Sequence, residues 1–512
     1  MKLEERIGQT LMIGVAGQEV TPELVALFRE TFAGGLILFR RNFHSTEQLR
    51  TFLASLEGAL QRKLLIAVDH EGGRVIHLKE GITFFPDNLA AGYAGREKYV
   101  REQGRIEALE LRRLGIDLNL APTLDVLTEV HSPNIGIRSY GRNPDLTARL
   151  GAARIAAMQE AGVSACAKHF PGQGQSPLDA HLGLPVLPTT WEEMKKIHLK
   201  PFLAAFQAGV HSVMSSHPVY PNLDPQNIPA TFSRKIIHDY LRKELGYRGL
   251  ILSDDLEMGA LRQRGSVAEA AVQTAAAGHD VILICSSAKD QREAFHELKK
   301  AYEDGRLDSE ELEKSAARIE ALKKLRPERF LQGIPLPEKD GKTLAEKIAR
   351  EGVAKGNPPS RSREENAREV TVIFPRLSEI GVKFALEPEL ENDAKCVAEL
   401  LARHGIMPKT TVLLPLDPDE GQVRECLEKV SGGRVLFFCF DAHLFPGNRR
   451  LLESLQAKVR GLEVLFLRNP YDHEFLGSGI LYAHAFGFRH AQIAAALDVL
   501  LGAGAAPHKA RA

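Results

Sequence analysis

Short apolar runs separated by turn residues recur through the first 330 residues of the chain. They are rich in Val, Ile and Leu without polar alternation, which is typical of parallel strands buried on both faces. We predict eight strands, at Leu11–Val15, Gly35–Phe39, Leu64–Val68, Ile116–Ala121, Ser164–Lys168, Ser212–Ser215, Gly249–Leu252 and Asp280–Cys285. Helical patterns lie between most of them, at Thr21–Thr31, Ser45–Leu60, Asp145–Ala161, Trp191–Ala208 and Val267–Ala277.

This alternation of strands and helices is typical of two α/β folds, the (β/α)₈ TIM-type barrel and the doubly wound sheet. The positions of the polar residues favour the barrel. Groups such as Asp69-His70-Glu71, Lys168-His169 and Ser253-Asp254-Asp255 lie at or just after the carboxyl ends of predicted strands. In a barrel those ends open onto one face, where barrel enzymes keep their active sites. We therefore predict a TIM-type barrel.

The pattern changes near residue 326. Two prolines, a charged helical stretch and a polar segment predict a linker over 336–367, which leaves 1–335 as the barrel domain. New strand-like runs follow at Glu369–Phe374, Thr410–Leu414, Arg434–Phe440 and Leu462–Leu467, with helical patterns at Ala394–His404 and Ala494–Leu501. We predict a smaller, αβα-layered domain over 368–505 and a disordered Ala-rich tail over 506–512.

Composition narrows the possible partners and the location. The 66 basic and 66 acidic residues give no net charge, which argues against nucleic acid or an anionic membrane surface as partner. No apolar run reaches the roughly 18 residues of a membrane span. The amino terminus lacks the basic flank and apolar core of a secretory signal, and the five cysteines are odd in number and scattered. These features predict a cytoplasmic protein.

Asp254 is a candidate nucleophile because it follows an apolar strand and Ser253. A carboxylate there would stand on rigid backbone and face the cleft, as attack on a sugar anomeric carbon requires. The residues alone leave a second interpretation open, because Ser253-Asp254-Asp255 also resembles a helix-capping sequence.

The most unusual segment runs from Ala167 to His181. A buried strand leads to Lys168-His169, and a Pro/Gly-rich loop then carries Asp179 two residues before His181. Such an acid can orient the histidine and stabilise its protonated form, and the imidazole can deliver a proton at neutral pH. A polar surface loop with an incidental Asp-x-His is the alternative.

Two further loops offer polar groups suited to a sugar. Asp69-His70-Glu71 is followed by two glycines that allow close approach to backbone, and Arg138 lies in a glycine-containing loop. Zinc-binding, phosphate-loop and dinucleotide motifs do not occur in the sequence. The implied chemistry therefore uses no cofactor and no metal.

With these residues in place, the chain resembles glycoside hydrolase family 3, in its two-domain β-N-acetylglucosaminidase branch. The most specific element is Lys168-His169-Phe170-Pro171-Gly172-x-Gly174 followed by Asp179-x-His181. The motifs that carry the rest of the resemblance are Gly8–Gly14, Gly34–Phe39, Asp69–Val75, Asn134–Gly141, Ser253–Leu256 and, as a weaker echo in the second domain, Asn469–Asp472.

The resemblance implies a retaining exo-enzyme that removes terminal β-linked N-acetylglucosamine from muropeptides or related glycosides, as in peptidoglycan recycling. It assigns the nucleophile to Asp254 and the acid/base to Asp179 and His181. It assigns sugar contacts to Asp69, His77, Arg138, Lys168 and His169. Two positions depart from the family pattern: Gln173 replaces the usual histidine, and His77 replaces an arginine that commonly contacts the sugar.

Three other functions stay open. A histidine acid/base places no anionic carboxylate in the path of phosphate, so the enzyme could be a β-N-acetylglucosaminide phosphorylase. A β-glucosidase of the same family is a second alternative, although the Asp-x-His loop argues against it. A non-catalytic sugar-binding protein is the third, but the nucleophile and proton donor are both retained.

Overall fold

The computed structural model describes residues 1–178, 183–325, 328–330, 338–356, 370–381, 392–430 and 433–502. The Asp179/His181 pair, residues 336–337 and 357–367 of the expected linker and the expected tail over 506–512 lie outside these residues.

The first domain is a closed barrel of eight parallel strands. The strands are β1 Leu11–Gly14, β2 Gly35–Leu38, β3 Leu65–Val68, β4 Leu118–Asn119, β5 Ser164–Phe170, β6 Ser212–Ser215, β7 Leu250–Leu252 and β8 Ile282–Ile284. Their order is β7-β6-β5-β4-β3-β2-β1-β8, and a parallel bridge between Leu252 and Val281 joins β7 to β8. The barrel prediction is confirmed, and each predicted strand is found within four residues of its expected bounds.

Apolar side chains fill the interior of the barrel, and a second apolar layer lies between its strands and the surrounding helices. Strand side chains that point inward, among them Met12, Leu65, Cys166 and Leu283, form one buried cluster. The outward-facing side chains pack against the helices in a larger cluster that includes Ile13, Ile66 and Phe202. Because both faces are buried, the strands read as continuous apolar runs in the sequence.

Helices of the barrel domain surround these strands. They are α1 Leu3–Gln9, α2 Pro22–Thr31, α3 Thr46–Leu60, α4 Asn88–Ala94, α5 Glu97–Arg113, α6 Pro144–Glu160, α7 Trp191–Glu193, α8 Lys200–Gln207, α9 Gly259–Arg262, α10 Val267–Ala277, α11 Ala288–Glu303 and α12 Ser309–Lys324. Side-chain caps define where several begin: Thr21 accepts the Leu24 N–H, Ser45 accepts the Gln48 N–H, and Ser266 forms a capping box with Glu269.

The predicted helix Trp191–Ala208 is interrupted. A π-helical turn over Met194–His198 separates α7 from α8, and the Leu199 N–H donates to the Met194 carbonyl. Pro201 explains the break, since proline has no N–H and its ring clashes with the preceding turn of a regular helix. A second π-helix spans Lys235–Glu244.

The second domain has a six-stranded sheet of order β11-β10-β12-β13-β14-β9. Its strands are β9 Ala354–Gly356, β10 Val370–Pro375, β11 Pro408–Leu414, β12 Arg434–Phe440, β13 Gly461–Leu467 and β14 Leu481–His484, and β9 is antiparallel to β14. Its helices are α14 Asp393–Ala402, α15 Glu420–Lys429, α16 Pro446–Lys458 and α17 His490–Leu501. Two apolar clusters, on opposite faces of the sheet, give the predicted αβα layers.

One helix, α13 (Glu338–Glu351), packs against both domains. Its Ile348 joins a cluster with Phe85 and Val100 of the barrel domain, whereas the adjacent Ala349 belongs to the core of the second domain. Residues 338–356, within the expected linker, thus supply this shared helix and the edge strand β9. Within the described ranges, every helix is too short or too polar to cross a bilayer.

Candidate active site

A cavity of about 1050 Å³ opens at the carboxyl ends of the barrel strands. Six residues predicted from the sequence line it: Asp69, His77, Arg138, Lys168, His169 and Asp254. Gly381, from the second domain, lines the same cavity. The other two predicted residues, Asp179 and His181, lie outside the described residues.

Asp254 stands directly after β7 on a backbone held by its neighbours. The Ser253 N–H donates to Val281 O at 2.9 Å, and Ser253 Oγ accepts the Leu283 N–H at 3.0 Å. The Asp255 N–H donates to Asp254 Oδ1 at 2.8 Å. Burial opposes ionisation, but His217 and His169 nearby lower the pKa of Asp254 below its usual value. The cavity therefore presents a fixed, negatively charged carboxylate.

The side chain of Asp255 bonds to nearby backbone and does not cap α9, since Met258 is the residue before that helix. Asp255 Oδ1 accepts the N–H groups of Glu257 at 3.1 Å and Cys285 at 3.2 Å, which closes the turn after β7. Burial raises the pKa of Asp255 to about 7. The two neighbouring carboxyls thus differ, since Asp255 accepts the N–H groups of Glu257 and Cys285, whereas Asp254 accepts the N–H of Asp255.

Glu71 is the centre of a buried charge network beside the cavity. Arg138 donates Nε and Nη2 to its two oxygens at 2.8 and 2.7 Å, and Lys168 Nζ lies 2.7 Å from Glu71 Oε1. The same Nζ lies 2.5 Å from Asp69 Oδ1. Burial opposes the charge on Glu71, yet Arg138 and Lys168 hold its pKa well below the usual range. These pairs fix the cations and Asp69 at one side of the cavity.

Arg154 holds the backbone that carries this network. Its side chain is fully buried, and it donates to both oxygens of Glu107 at 2.8–3.0 Å and to Asn88 Oδ1 at 2.9 Å. It also donates Nη2 to the backbone carbonyl of Glu71 at 2.7 Å. The loop that carries Asp69 and Glu71 is therefore tied to α5 and α4 beneath it.

His169 is oriented by a buried acid. Its Nδ1 lies 2.7 Å from Asp125 Oδ2, and its Nε2 lies 3.4 Å from Arg138 Nη2. The Gln173 N–H donates to the other oxygen, Asp125 Oδ1, at 2.7 Å. Gln173, where the resembled family usually has histidine, is buried, and its backbone holds the start of the loop against Asp125.

His77 packs edge-on to Phe39, with ring centroids 5.4 Å apart. Burial lowers its pKa, which favours the neutral imidazole. Its Nδ1 is buried and has no hydrogen-bond partner within the described part of the chain. A neutral ring at this position can hydrogen-bond a sugar hydroxyl but supplies less charge than the arginine it replaces.

Comparison with known proteins decides the family. Residues 2–322 match the family described as "Glycosyl hydrolase family 3 N terminal domain". The chain belongs to glycosyl hydrolase family 3. It is thus a glycoside hydrolase, and the family resemblance found in the sequence is confirmed.

Relatives of this family 3 chain cover one or both of its domains. A β-hexosaminidase of Idiomarina loihiensis is 39% identical over 280 residues, which are 54% of this chain and 83% of that protein. The structure of a family 3 β-N-acetylglucosaminidase from Paenibacillus sp. str. FPU-7 is 32% identical, covers 99% of this chain and 98% of its own, and has a TM-score of 0.90. The NagZ structure of Neisseria gonorrhoeae, in complex with N-trifluoroacetyl-D-glucosamine, is 32% identical, covers 66% and 97%, and has a TM-score of 0.55.

Three polar residues of this family 3 site receive no individual role from the sequence: Glu71, Asp125 and His217. His217 bonds Thr231 Oγ1 at 2.8 Å and the Asp255 carbonyl at 3.0 Å, next to the candidate nucleophile. Each residue comes after the carboxyl end of a barrel strand, Glu71 after β3, Asp125 after β4 and His217 after β6, and this position is the signal that the sequence offers. That signal cannot show which of the strand-end groups face one another.

Proposed function

We propose that this protein is a retaining exo-β-N-acetylglucosaminidase that hydrolyses terminal β-linked N-acetylglucosamine through a covalent intermediate on Asp254. The observation that carries the proposal is the ionised Asp254 at the end of β7, facing the cavity that Asp69, Lys168 and Arg138 also line. The names of the relatives support the choice of sugar.

The non-reducing sugar is expected to bind between Asp254 and the charged network. Asp69 can accept sugar hydroxyls, and Lys168, Arg138 and His169 can donate to them. Because Glu71 and Asp125 already hold these groups in place, little side-chain freedom is lost when the sugar binds.

In the first step Asp254 attacks the anomeric carbon and the glycosidic bond breaks. The leaving oxygen takes a proton from His181, and Asp179 stabilises the imidazolium before that transfer. In the second step His181 removes a proton from water, which attacks the same carbon and releases Asp254. Two inversions give net retention of configuration.

The described ends of the Asp179/His181 loop support this assignment. Three residues after His181, Leu184 packs against Met258 and Ala260, which follow β7, and Met258 lines the cavity. The Leu187 N–H donates to the carbonyl of Val219, just beyond β6. The chain thus returns to the barrel beside the strand end that carries Asp254.

We further propose that the enzyme acts in the cytoplasm, where it cleaves muropeptides during peptidoglycan recycling. All five cysteines are buried thiols, which is usual for proteins of a reducing compartment. Release of N-acetylglucosamine from a purified muropeptide, compared with release from a chitin disaccharide, tests the substrate. A strong preference for the disaccharide would contradict the muropeptide assignment.

The mechanism is tested with aryl β-N-acetylglucosaminides of differing leaving groups. We expect Asp254→Asn to lower kcat by about 10³-fold or more, because the nucleophile is lost. His181→Ala should impair mainly the substrates with poor leaving groups, because these need the proton most. Asp145→Asn, which changes an exposed carboxylate paired with Lys200, is the matched control and should act as wild type.

Three outcomes would contradict the proposal. Full activity of Asp254→Asn would show that Asp254 is not the nucleophile. Sugar 1-phosphate as the main product in phosphate buffer would make the enzyme a phosphorylase. Faster turnover of the matched aryl β-glucoside would make it a glucosidase.

A further inference from the structure

The second domain contacts two barrel loops that carry the charged network of the cavity. One loop, residues 69–75, carries Asp69 and Glu71, and the other, residues 131–138, carries Arg138. The first loop contains an isolated bridge between Gly72 and Val75, the second contains the short 3₁₀ turn Gly136–Arg138, and the rest of both loops is irregular. Their positions therefore depend on what packs against them.

The contact to the first loop is made by Arg489, the residue before α17. It is 1% exposed, and its Nε donates to the carbonyl of Gly73 at 2.8 Å. Its guanidinium lies 4.9 Å from the Phe84 ring centroid and 5.1 Å from that of Phe488. Gly73 is two residues from Glu71, so this hydrogen bond holds the backbone close to the central carboxylate of the network.

The contact to the second loop is made by Asn469, just after β13. Gly136 approaches it so closely that a Cβ at Gly136 would lie 2.5 Å from Asn469 Oδ1. Gly136 is two residues from Arg138 and begins the turn that carries it. The ring of Phe486 adds an apolar contact with Leu89, Ala90 and Ile137 of the barrel domain.

Asn469 is itself held by a buried network. Its N–H and Nδ2 both donate to Asp441 Oδ1 at 3.1 Å, and Arg468 Nη1 lies 2.8 Å from Asp441 Oδ2. Asp472 accepts the N–H of His443 at 3.0 Å and contacts its Nδ1 at 2.6 Å. Asp441 thus bonds directly to Asn469, and Asp472 holds the neighbouring His443, so buried groups of the second domain support Asn469.

We infer that the second domain positions the sugar-binding network, with Arg489 and Asn469 as positioning residues that act through Glu71 and Arg138. The two contacts reach the loops at equivalent places, two residues from each member of the Glu71–Arg138 pair. A bidentate pair tolerates little displacement of either backbone, so both loops need external support. The inference rests on the proposed function for the role of Arg138 and Lys168 at the sugar.

The test compares Arg489→Met and Arg489→Lys in the full chain. Arg489→Met removes the donor, and we expect kcat/KM to fall about tenfold or more, since small misplacements of binding groups are costly. The loss should appear chiefly as a higher KM for the substrate and a higher Kd for N-acetylglucosamine. Arg489→Lys keeps a donor, and we expect kcat/KM within about threefold of wild type.

A control separates positioning from general loosening of the domain junction. Glu351 of α13 accepts from Arg96 Nε at 2.9 Å and from the Tyr99 hydroxyl at 2.5 Å, and these contacts touch neither loop. Glu351→Gln should leave KM unchanged even where it lowers Tm. An unchanged KM for Arg489→Met, or an equal rise for Glu351→Gln, would overturn the inference.

Hydrogen exchange supplies a readout that does not depend on the substrate. Arg489→Met should speed amide exchange in residues 69–75, and Asn469→Ala should do so in residues 131–138, whereas Glu351→Gln should change neither. Asn469→Ala also serves if Arg489→Met does not fold. If wild type cleaves no N-acetylglucosaminide but these exchange changes appear, the proposed function fails while the positioning stands; unchanged exchange in both variants overturns the positioning.

Discussion

Glu71 shows how much one buried carboxylate contributes to this site. It is shared by Arg138, which bonds both of its oxygens, and by Lys168, and its side chain is 2% exposed. Two cations beside one another in a buried site repel unless an anion compensates them. The negative charge of Glu71 is therefore needed for Arg138 and Lys168 to lie side by side in the folded protein.

Glu71→Gln tests this at the residue scale. We expect a loss of about 3–5 kcal/mol in the free energy of unfolding, the usual cost of removing one partner of a buried ion pair. Urea denaturation measures it. Glu160→Gln breaks an exposed pair with Arg101 and should cost about 0–1 kcal/mol. A Glu71→Gln variant as stable as that control would show that the network is not stabilising.

Residues 69–87, which link β3 to α4, illustrate a pH effect at the scale of an element. Asp87, the residue before α4, accepts the Arg74 N–H at 2.7 Å through Oδ1, and burial raises its pKa to about 7. The folded state thus holds a proton that the unfolded chain loses near pH 4. Stability from this proton is complete below pH 4 and is lost as the pH rises through 7.

We therefore expect Asp87→Asn to match wild type in unfolding free energy at low pH and to exceed it at pH 8. Asparagine keeps the Oδ1 acceptor for the Arg74 N–H but cannot ionise. Urea denaturation at pH 4, 6 and 8 measures the difference. Parallel pH curves for the two proteins would show that Asp87 ionises normally in the folded state.

Strand prediction succeeded at the element scale because each barrel strand is a local apolar run bounded by turn residues. β4 is the shortest of them, Leu118–Asn119 against the predicted Ile116–Ala121. Pro122, three residues after the end of β4, has no N–H to donate, and only an isolated parallel bridge between Thr123 and Lys168 follows in the described residues. β9 and β14 are not predicted, since β9 is a three-residue edge strand with no buried residue and β14 is a four-residue strand with a weak apolar signal. Their pairing is decided by the rest of the sheet.

At the scale of the whole molecule, α13 couples the two domains. Ile348 is fully buried in the barrel-side cluster, and the next residue, Ala349, lies in the core of the second domain. Neither domain can move away from the other without exposing one face of this helix. We therefore expect the domains to unfold together.

Ile348→Ala tests the coupling. We expect it to cost about 2–5 kcal/mol, as for other buried Ile to Ala changes, and to shift one common transition in calorimetry. Lys347→Ala, at the neighbouring exposed position, should leave the transition in place. Two transitions, only one of which moves, would show that the domains unfold independently.

The sequence by itself determined the barrel strands and the strand-end positions of Asp254, Lys168 and Asp69, because apolar runs and turn residues act over a few neighbouring positions. It also carried the family motifs. Only the tertiary structure decided which groups pair. Arg138 meets Glu71 from 67 positions away, and Arg489 meets Gly73 from 416. Such contacts depend on how distant segments pack, and no local pattern of polar and apolar residues encodes them.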